Sequence, residues 1–472
     1  MARRKKKIEG VRIIDIGDRG HAIGKTPEGE VVILLDQPVP GDVVNMVATR
    51  KKKGLKHGFV TDYVTTSEHR VEPSCIHFGD CGGCKWQHFA YEQQALHKEN
   101  TVKQVISRIA KDDLSKVEPV QKADRTYGYR NKLEYSFSTK RWLTQEEVDS
   151  GKTFDHRPGV GFHISGAFDK ILHVDECLLQ DSLSNTIRNR IHTLAQEKDW
   201  SYYHIRENKG LLRNLMIRNS RLGQWMVTVV FGERDQEKID QIFDLLIPEF
   251  PQVNSWYAMV NTKMNSSYFD IDAVHISGEK HIEEILDDVR YKISPKSFFQ
   301  TNPYQAEILY RQALLLAELR PTDIVYDLYT GTGSIALFLA KQCASVVGIE
   351  VVPEAIEDAW LNAEINQIKN AHFIVGDVKD VLTDHFQKEF GTPNVIVTDP
   401  PRAGMHEDVV KTILTLEADR VVYISCNPST QARDILLLHE KYDLIKVVPV
   451  DMFPHTSHIE SVALLTLRSE FK

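Results

Sequence analysis

What the chain lacks narrows its class before any motif is read. Nowhere in its 472 residues is there the run of roughly 20 apolar side chains that a bilayer-spanning helix requires, so no membrane association is expected. The opening MARRKKKIEG is basic but leads into no apolar core, which speaks against a secretory leader and for the cytoplasm. Cysteine is scarce, with six residues, too few for a disulfide scaffold of this size; in a reducing compartment metal binding or catalysis is the better use for them. Internal repeats and low-complexity tracts are absent as well, which removes solenoids and disordered linkers from consideration. Nor is there a net positive charge: the total is -8, so the molecule as a whole is no polycation.

The charge that is present is unevenly spread. Residues 1–56 carry 13 Lys and Arg against 7 Asp and Glu, a balance of +6, which leaves -14 for the remainder. Arg3, Arg4, Lys5, Lys6 and Lys7 form one basic run, and Arg50, Lys51, Lys52, Lys53 and Lys56 another. Such runs are either solvated surface or phosphate contacts that release counterions on binding nucleic acid. The same region reads as short strands (VRIIDIG, HAIGKT, EVVILL, DVVNMVATR, GFVTDYV) broken by Gly, Pro and Asp, the grammar of a small β-barrel of the oligonucleotide-binding kind.

At about 150 residues per domain the length allows three units, and three grammars are visible. Residues 1–66 are the basic barrel, 67–294 mix helices and strands as an α+β unit, and 295–472 alternate strand and helix as a parallel doubly wound sheet of Rossmann-like type ending in two extended runs. The expected fold class is therefore multidomain α/β. Residues 90–110 have the spacing of a helix, and the topology of the central unit does not follow from its pattern.

In the third unit, Asp327-Leu-Tyr329-Thr-Gly331-Thr-Gly333-Ser334 sits where a first strand gives way to a helix. Glycines there let the backbone turn sharply and approach a ligand. Glu350, ending the next strand, suits ribose hydroxyls, and Asp377, closing the third, suits an adenine edge. A dinucleotide site would prefer a third glycine where Ala336 stands. Strand four ends in Asp399-Pro400-Pro401-Arg402, a D-P-P turn resembling the class I methyltransferases. Arg402 replaces the aromatic residue usual in those that act on exocyclic amines.

Carbon 5 of a uracil becomes nucleophilic only after a thiolate adds at carbon 6, and a base must later remove the carbon 5 proton. Ser425-Cys426-Asn427-Pro428 closes the fifth strand on the ligand-bearing edge, whereas Cys343 falls at a helix-to-strand join and reads as a buried structural thiol. Cys426 is thus the candidate nucleophile. Phe453–Glu460 supplies a base before the last strand: Glu460 first, with His458 in reserve because imidazole needs a smaller pKa shift to act near neutrality.

Together F-F-Q (298–300), D-L-Y-T-G-T-G (327–333), T-D-P-P-R (398–402), S-C-N-P (425–428) and H-I-E (458–460) resemble the RNA uracil-5-methyltransferase family over essentially the whole chain, more closely its bacterial 23S ribosomal RNA branch with a leading TRAM barrel. The resemblance implies an S-adenosyl-L-methionine cofactor held by Gln300, Tyr329, Glu350 and Asp399, with Asp377 beside them, Cys426 as nucleophile and Glu460 as proton acceptor. It implies a 23S ribosomal RNA partner modified at one or two uridines; the sequence leaves the oligomeric state open, with a monomer expected. Tyr329-Thr330 stand where many members have Phe-Cys. A transfer RNA uracil-5 enzyme would share the catalytic set, a cytosine-5 enzyme would bring a second cysteine to the D-P-P turn, and a non-catalytic RNA-binding protein would not need Cys426.

Cys75, Cys81 and Cys84, spaced x5 and x2, with Cys177 after a further 92 residues, supply four thiolates for zinc or an iron–sulfur cluster; spacing alone leaves both open. The resemblance implies a [4Fe-4S] cluster. Gly82 and Gly83 are expected to form the tight turn between ligands. Tyr127, Tyr129, Arg130 and Lys132 interleave aromatic and cationic groups, as an RNA surface or an ordinary strand start would, and Phe298 and Phe299 are either core or base contacts.

Overall fold

A computed structural model describes residues 6–17, 20–154 and 157–471; Arg3, Arg4 and Lys5 of the first basic run lie outside them. β1 (Lys6–Ile16), β2 (Ala22–Lys25), β3 (Val31–Leu34), β4 (Val43–Lys52) and β5 (Leu55–Thr65) close into a barrel in the order β1-β2-β3-β5-β4. Alternate side chains point inward, so Val11, Ile13, Val32, Leu34, Val44 and Met46 fill it. Beyond this alternating stretch the β4–β5 hairpin leaves Arg50, Lys51, Lys52 and Lys53 exposed on both of its faces.

The central strands form one seven-stranded sheet: β6 (Lys132–Ser138), β7 (Gly159–His163), β8 (Ile171–His173), β9 (Leu212–Asn219), β10 (Trp225–Phe231), β11 (Ser255–Val260) and β12 (Val274–Gly278), ordered β12-β11-β10-β9-β6-β7-β8. Helices Ser182–Glu197 and Gln236–Glu249 pack on it through Ile187, Ile191, Ile239, Ile242 and Phe243. A hairpin of β13 (Ile282–Leu286) and β14 (Val289–Ile293) leads on to helix Pro303–Ala317.

The third sheet holds β15 (Ile324–Leu328), β16 (Ser345–Glu350), β17 (Ala371–Val375), β18 (Val395–Thr398), β19 (Arg420–Ser425), β20 (Tyr442–Val450) and β21 (Glu460–Leu467), in the order β17-β16-β15-β18-β19-β21-β20. The first five run parallel, and β21 inserts antiparallel between β19 and β20. Both faces are covered, which explains why its strands read as unbroken apolar runs. The mixed α/β architecture expected from the alternation is present. Helix Tyr91–Val105 and its π-helical extension Ile106–Ala110 lie on this sheet, with Ala95, Val102 and Ile106 in one core with Ala432 and Ile435. Beyond them Val117 and Gln121 bridge to Val447 and Val450 of β20. Among the described residues no helix is long and apolar enough to cross a membrane.

Candidate active site

The carboxyl ends of β15, β16, β18 and β19 and the first residue of β21 meet at one edge, where the topology changes direction and open sheets bind ligands. After β15 the backbone enters the left-handed region three times, at Tyr329 (φ 66°), Gly331 (φ 55°) and Gly333 (φ 75°). A side chain on Gly333 would come within 2.9 Å of the Phe373 ring and 3.0 Å of Ala359, so only glycine fits. Tyr329 takes a conformation that costs a non-glycine residue energy, and such strain persists only where the surroundings enforce it. Thr330 does part of this by donating its hydroxyl to buried Asp327 (2.5 Å). Glu350 does the rest: its carboxylate accepts the Gly331 N–H at 3.1 Å and the N–H groups of Val351 and Val352 at 2.8 and 3.1 Å.

Asp377 caps helix Val378–Val381, accepting from the Lys379 N–H, and is exposed. Gln300 lies in the loop before helix Pro303–Ala317, its carbonyl held by Asn131 Nδ2 at 3.0 Å. Its neighbours resolve the open question about the two phenylalanines: Phe299 is 4% exposed and belongs to the core, whereas Phe298 is 69% exposed. Burial, aided by the charge of Asp327, lifts the Asp399 carboxyl to about 7. Asp327 is lifted to about 7 by burial as well.

Strand register brings the thiol to the carboxyl. Ser425 pairs with Ser461 across β19 and β21, so Cys426 and Glu460, one step on in opposite directions, face each other at the sheet edge. Gln431 clamps this pair of strands, donating to the carbonyls of Tyr423 and Ser461 and accepting the Ser461 hydroxyl at 2.7 Å. Burial, then the charges of Glu460 and Asp399, push the Cys426 thiol up to about 11, and Arg402, in hydrogen-bond reach of it, pulls the other way. Glu460 is 6% exposed; burial, with Asp399 beside it, holds its carboxyl well above the usual range. Arg402 Nη2 also donates to His458 Nδ1 at 3.1 Å. Because Arg402 can only donate, that imidazole nitrogen carries no proton. Although His458 keeps an exposed edge, desolvation of its ring and the Arg402 charge push it down, which makes it a weaker proton acceptor than Glu460.

Arg402 is the residue that sequence reasoning undervalued. It stands where an aromatic side chain is usual, yet it is the cation whose charge favours the Cys426 thiolate; its signal is its place in the same D-P-P turn as Asp399.

Cys75, Cys81, Cys84 and Cys177 line one cavity of about 400 Å³ between the first cysteine loop and β6–β8. Burial and their mutual charges raise Cys84 to about 12 and Cys177 to about 11. Arg188, fully buried, stands behind Cys177 with its Nε unpartnered among the described groups. Among the described residues no three His, Cys, Asp or Glu side chains are drawn together around a single metal ion. Gly82 serves close approach more than a left-handed turn, since a Cβ there would lie 2.5 Å from the His163 carbonyl.

The aromatic–cationic stretch faces inward. Tyr129 is 1% exposed and donates to the Pro454 carbonyl at 3.1 Å, the Tyr127 ring lies 4.6 Å from that of His455, Arg130 sits over Phe453, and Lys132 donates to Tyr268. A stacking surface for RNA is therefore not what Tyr129 offers; with Tyr127 and Arg130 it buttresses the loop that carries Glu460.

Comparison with known proteins agrees with this geometry. The family model for tRNA (Uracil-5-)-methyltransferase matches residues 269–468, a span that holds every residue described at the sheet edge. An uncharacterized RNA methyltransferase of Bacteroides thetaiotaomicron is 47% identical over 452 residues, covering 95% of this chain and 99% of its own. One from Porphyromonas gingivalis is 42% identical, covering 98% and 100%. Among solved structures, the Pyrococcus abyssi tRNA (uracil-54, C5)-methyltransferase in complex with S-adenosyl-L-homocysteine superposes with a TM-score of 0.74 at 29% identity, covering 97% of this chain and all of that one. The chain belongs to the RNA uracil-5-methyltransferase family.

Proposed function

We propose that the protein methylates carbon 5 of a uridine in 23S ribosomal RNA, with S-adenosyl-L-methionine as methyl donor. The observation that carries this reading is Cys426 facing Glu460 across β19 and β21, with the charge of Arg402 favouring the thiolate. The Cys426 thiolate adds to carbon 6 of the uracil, and the electrons move to oxygen 4 as an enolate. Carbon 5 then takes the methyl group, leaving a neutral thioether on the cofactor. Glu460 accepts the carbon 5 proton, the double bond re-forms between carbons 5 and 6, and the sulfur leaves as thiolate. Asp399, Glu350, Tyr329, Gly331, Gln300 and Asp377 would hold the cofactor at this edge, where Asp399, once ionised, suits a cationic group.

The four cysteines suit a [4Fe-4S] cluster. A cluster keeps its ligand sulfurs further apart than one ion does, it favours the thiolate form that burial otherwise opposes, and buried Arg188 supplies balancing positive charge. Cys75, Cys81, Cys84 and Cys177 would hold it; methyl transfer needs no redox step from it. The barrel's strand order and its exposed basic hairpin support a TRAM-type RNA-docking role for residues 1–66, ahead of a central unit at 67–294, whose helix Tyr91–Val105 packs on the third sheet, and the methyltransferase unit at 295–472. A second reading, methylation of a transfer RNA, is favoured by the full-length likeness to the archaeal tRNA enzyme.

Mapping 5-methyluridine in ribosomal and transfer RNA from cells with the gene, without it, and with only Cys426→Ala decides between them. A mark on 23S RNA that vanishes in both altered strains is expected. Loss from transfer RNA instead supports the second reading, and a mark that survives Cys426→Ala contradicts the mechanism.

A further inference from the structure

The loop that delivers Glu460 is held from outside its own sheet. His455 sits at φ 64°, left-handed for a non-glycine residue, and is 5% exposed. Its N–H donates to Gln94 Oε1 at 2.9 Å, and its carbonyl accepts the N–H groups of Lys85 and Trp86 at 2.7 and 3.1 Å. Gln94, completely buried, turns its amide back to the carbonyls of Trp86 (2.9 Å) and Phe89 (2.6 Å). Tyr129 fixes the preceding carbonyl, that of Pro454, and Lys98 Nζ that of Phe453 at 3.0 Å. The Lys85 and Trp86 amides follow Cys84 directly in the chain. One strained residue of the loop is thus pinned by the segment that leaves the cysteine cavity.

We propose that Gln94 is a positioning residue for proton removal: with the Lys85–Trp86 backbone it latches His455, and through the short run His455–Glu460 it sets the Glu460 carboxyl and the His458–Arg402 contact. This rests on the reading of Glu460 as proton acceptor but not on what the four cysteines hold. Releasing the latch leaves Cys426 in place, because it follows directly on β19, which the latch does not touch. Addition and methyl transfer then continue, while loss of the carbon 5 proton and expulsion of the thiol slow down. Misplacement of a reacting group by about 1 Å is enough for a rate loss of tenfold or more.

Gln94→Leu removes the polar contacts and keeps the volume; Tyr129→Phe, a milder change that loses only the bond to Pro454, serves if the first variant melts early. Both go into single turnover with target RNA and methyl-labelled S-adenosyl-L-methionine, and the ratio of denaturant-stable protein–RNA adduct to released product is read. The ratio is expected to rise about tenfold in Gln94→Leu and less, in the same direction, in Tyr129→Phe, with adduct formation near the wild-type rate. Adduct and product falling together, or an unchanged ratio in a folded variant, overturns the latch while wild-type turnover stands. Wild-type protein that gives neither adduct nor product overturns the reading of the site and the latch with it.

Discussion

The thiol of Cys426 is not primed for attack by its own surroundings. Burial and two carboxylates hold it near 11, and the Arg402 guanidinium is the cation that opposes them. The thiolate is the reactive form, so below pH 11 its share grows about tenfold per pH unit. Glu460, raised well above the usual carboxyl range, must also lose its proton before it can accept one, and it changes in the same direction. Single-turnover methyl transfer is therefore expected to accelerate steadily from pH 7 to pH 9. Arg402→Ala removes the group that lowers the thiol pKa and is expected to move the profile to higher pH with a slower rate throughout. A flat profile, or one that Arg402→Ala leaves in place, contradicts this assignment.

Elements set these residues in position, and the turn at 327–334, the proposed cofactor turn, is the one most tightly specified. Gly333 is left-handed and packed against Phe373 and Ala359, so Gly333→Ala combines backbone strain with a clash. A loss of about 1–3 kcal/mol in denaturant unfolding is expected, together with weaker cofactor binding by calorimetry; unchanged stability and affinity would show the turn to be tolerant. This turn was legible in the sequence because its glycines answer a backbone demand. So were Asp399 and Cys426, where buried apolar runs stop, and Glu460, where the last one begins. The inward direction of Tyr129 was not legible, because an aromatic residue amid charge reads alike on a surface and on a buttress. The facing of Cys426 and Glu460 needed the register of β21, which inserts between β19 and β20 against chain order.

At the scale of the molecule, the segment between the cysteine loop and β6 ties the parts together. Its helix buries Lys98 against Asp451 at 2.5 Å, and Tyr91 donates to the same carboxylate at 3.0 Å. Two buried charges are costly unless paired and hydrogen-bonded; here the pair roots the loop that ends in Glu460. The barrel reaches the same loop, with Gly20 beside Ser457. Barrel and cysteine segment thus both meet the loop that bears the proposed proton acceptor, and the division of labour at the sheet edge can be tested there. Glu460→Gln with target RNA and labelled S-adenosyl-L-methionine is the most direct test. The variant is expected to accumulate a denaturant-stable protein–RNA adduct through Cys426 that carries the methyl label and retains the carbon 5 hydrogen. Release of methylated RNA at the wild-type rate, with no adduct, would contradict the assignment of Glu460 and the two-residue mechanism built on it.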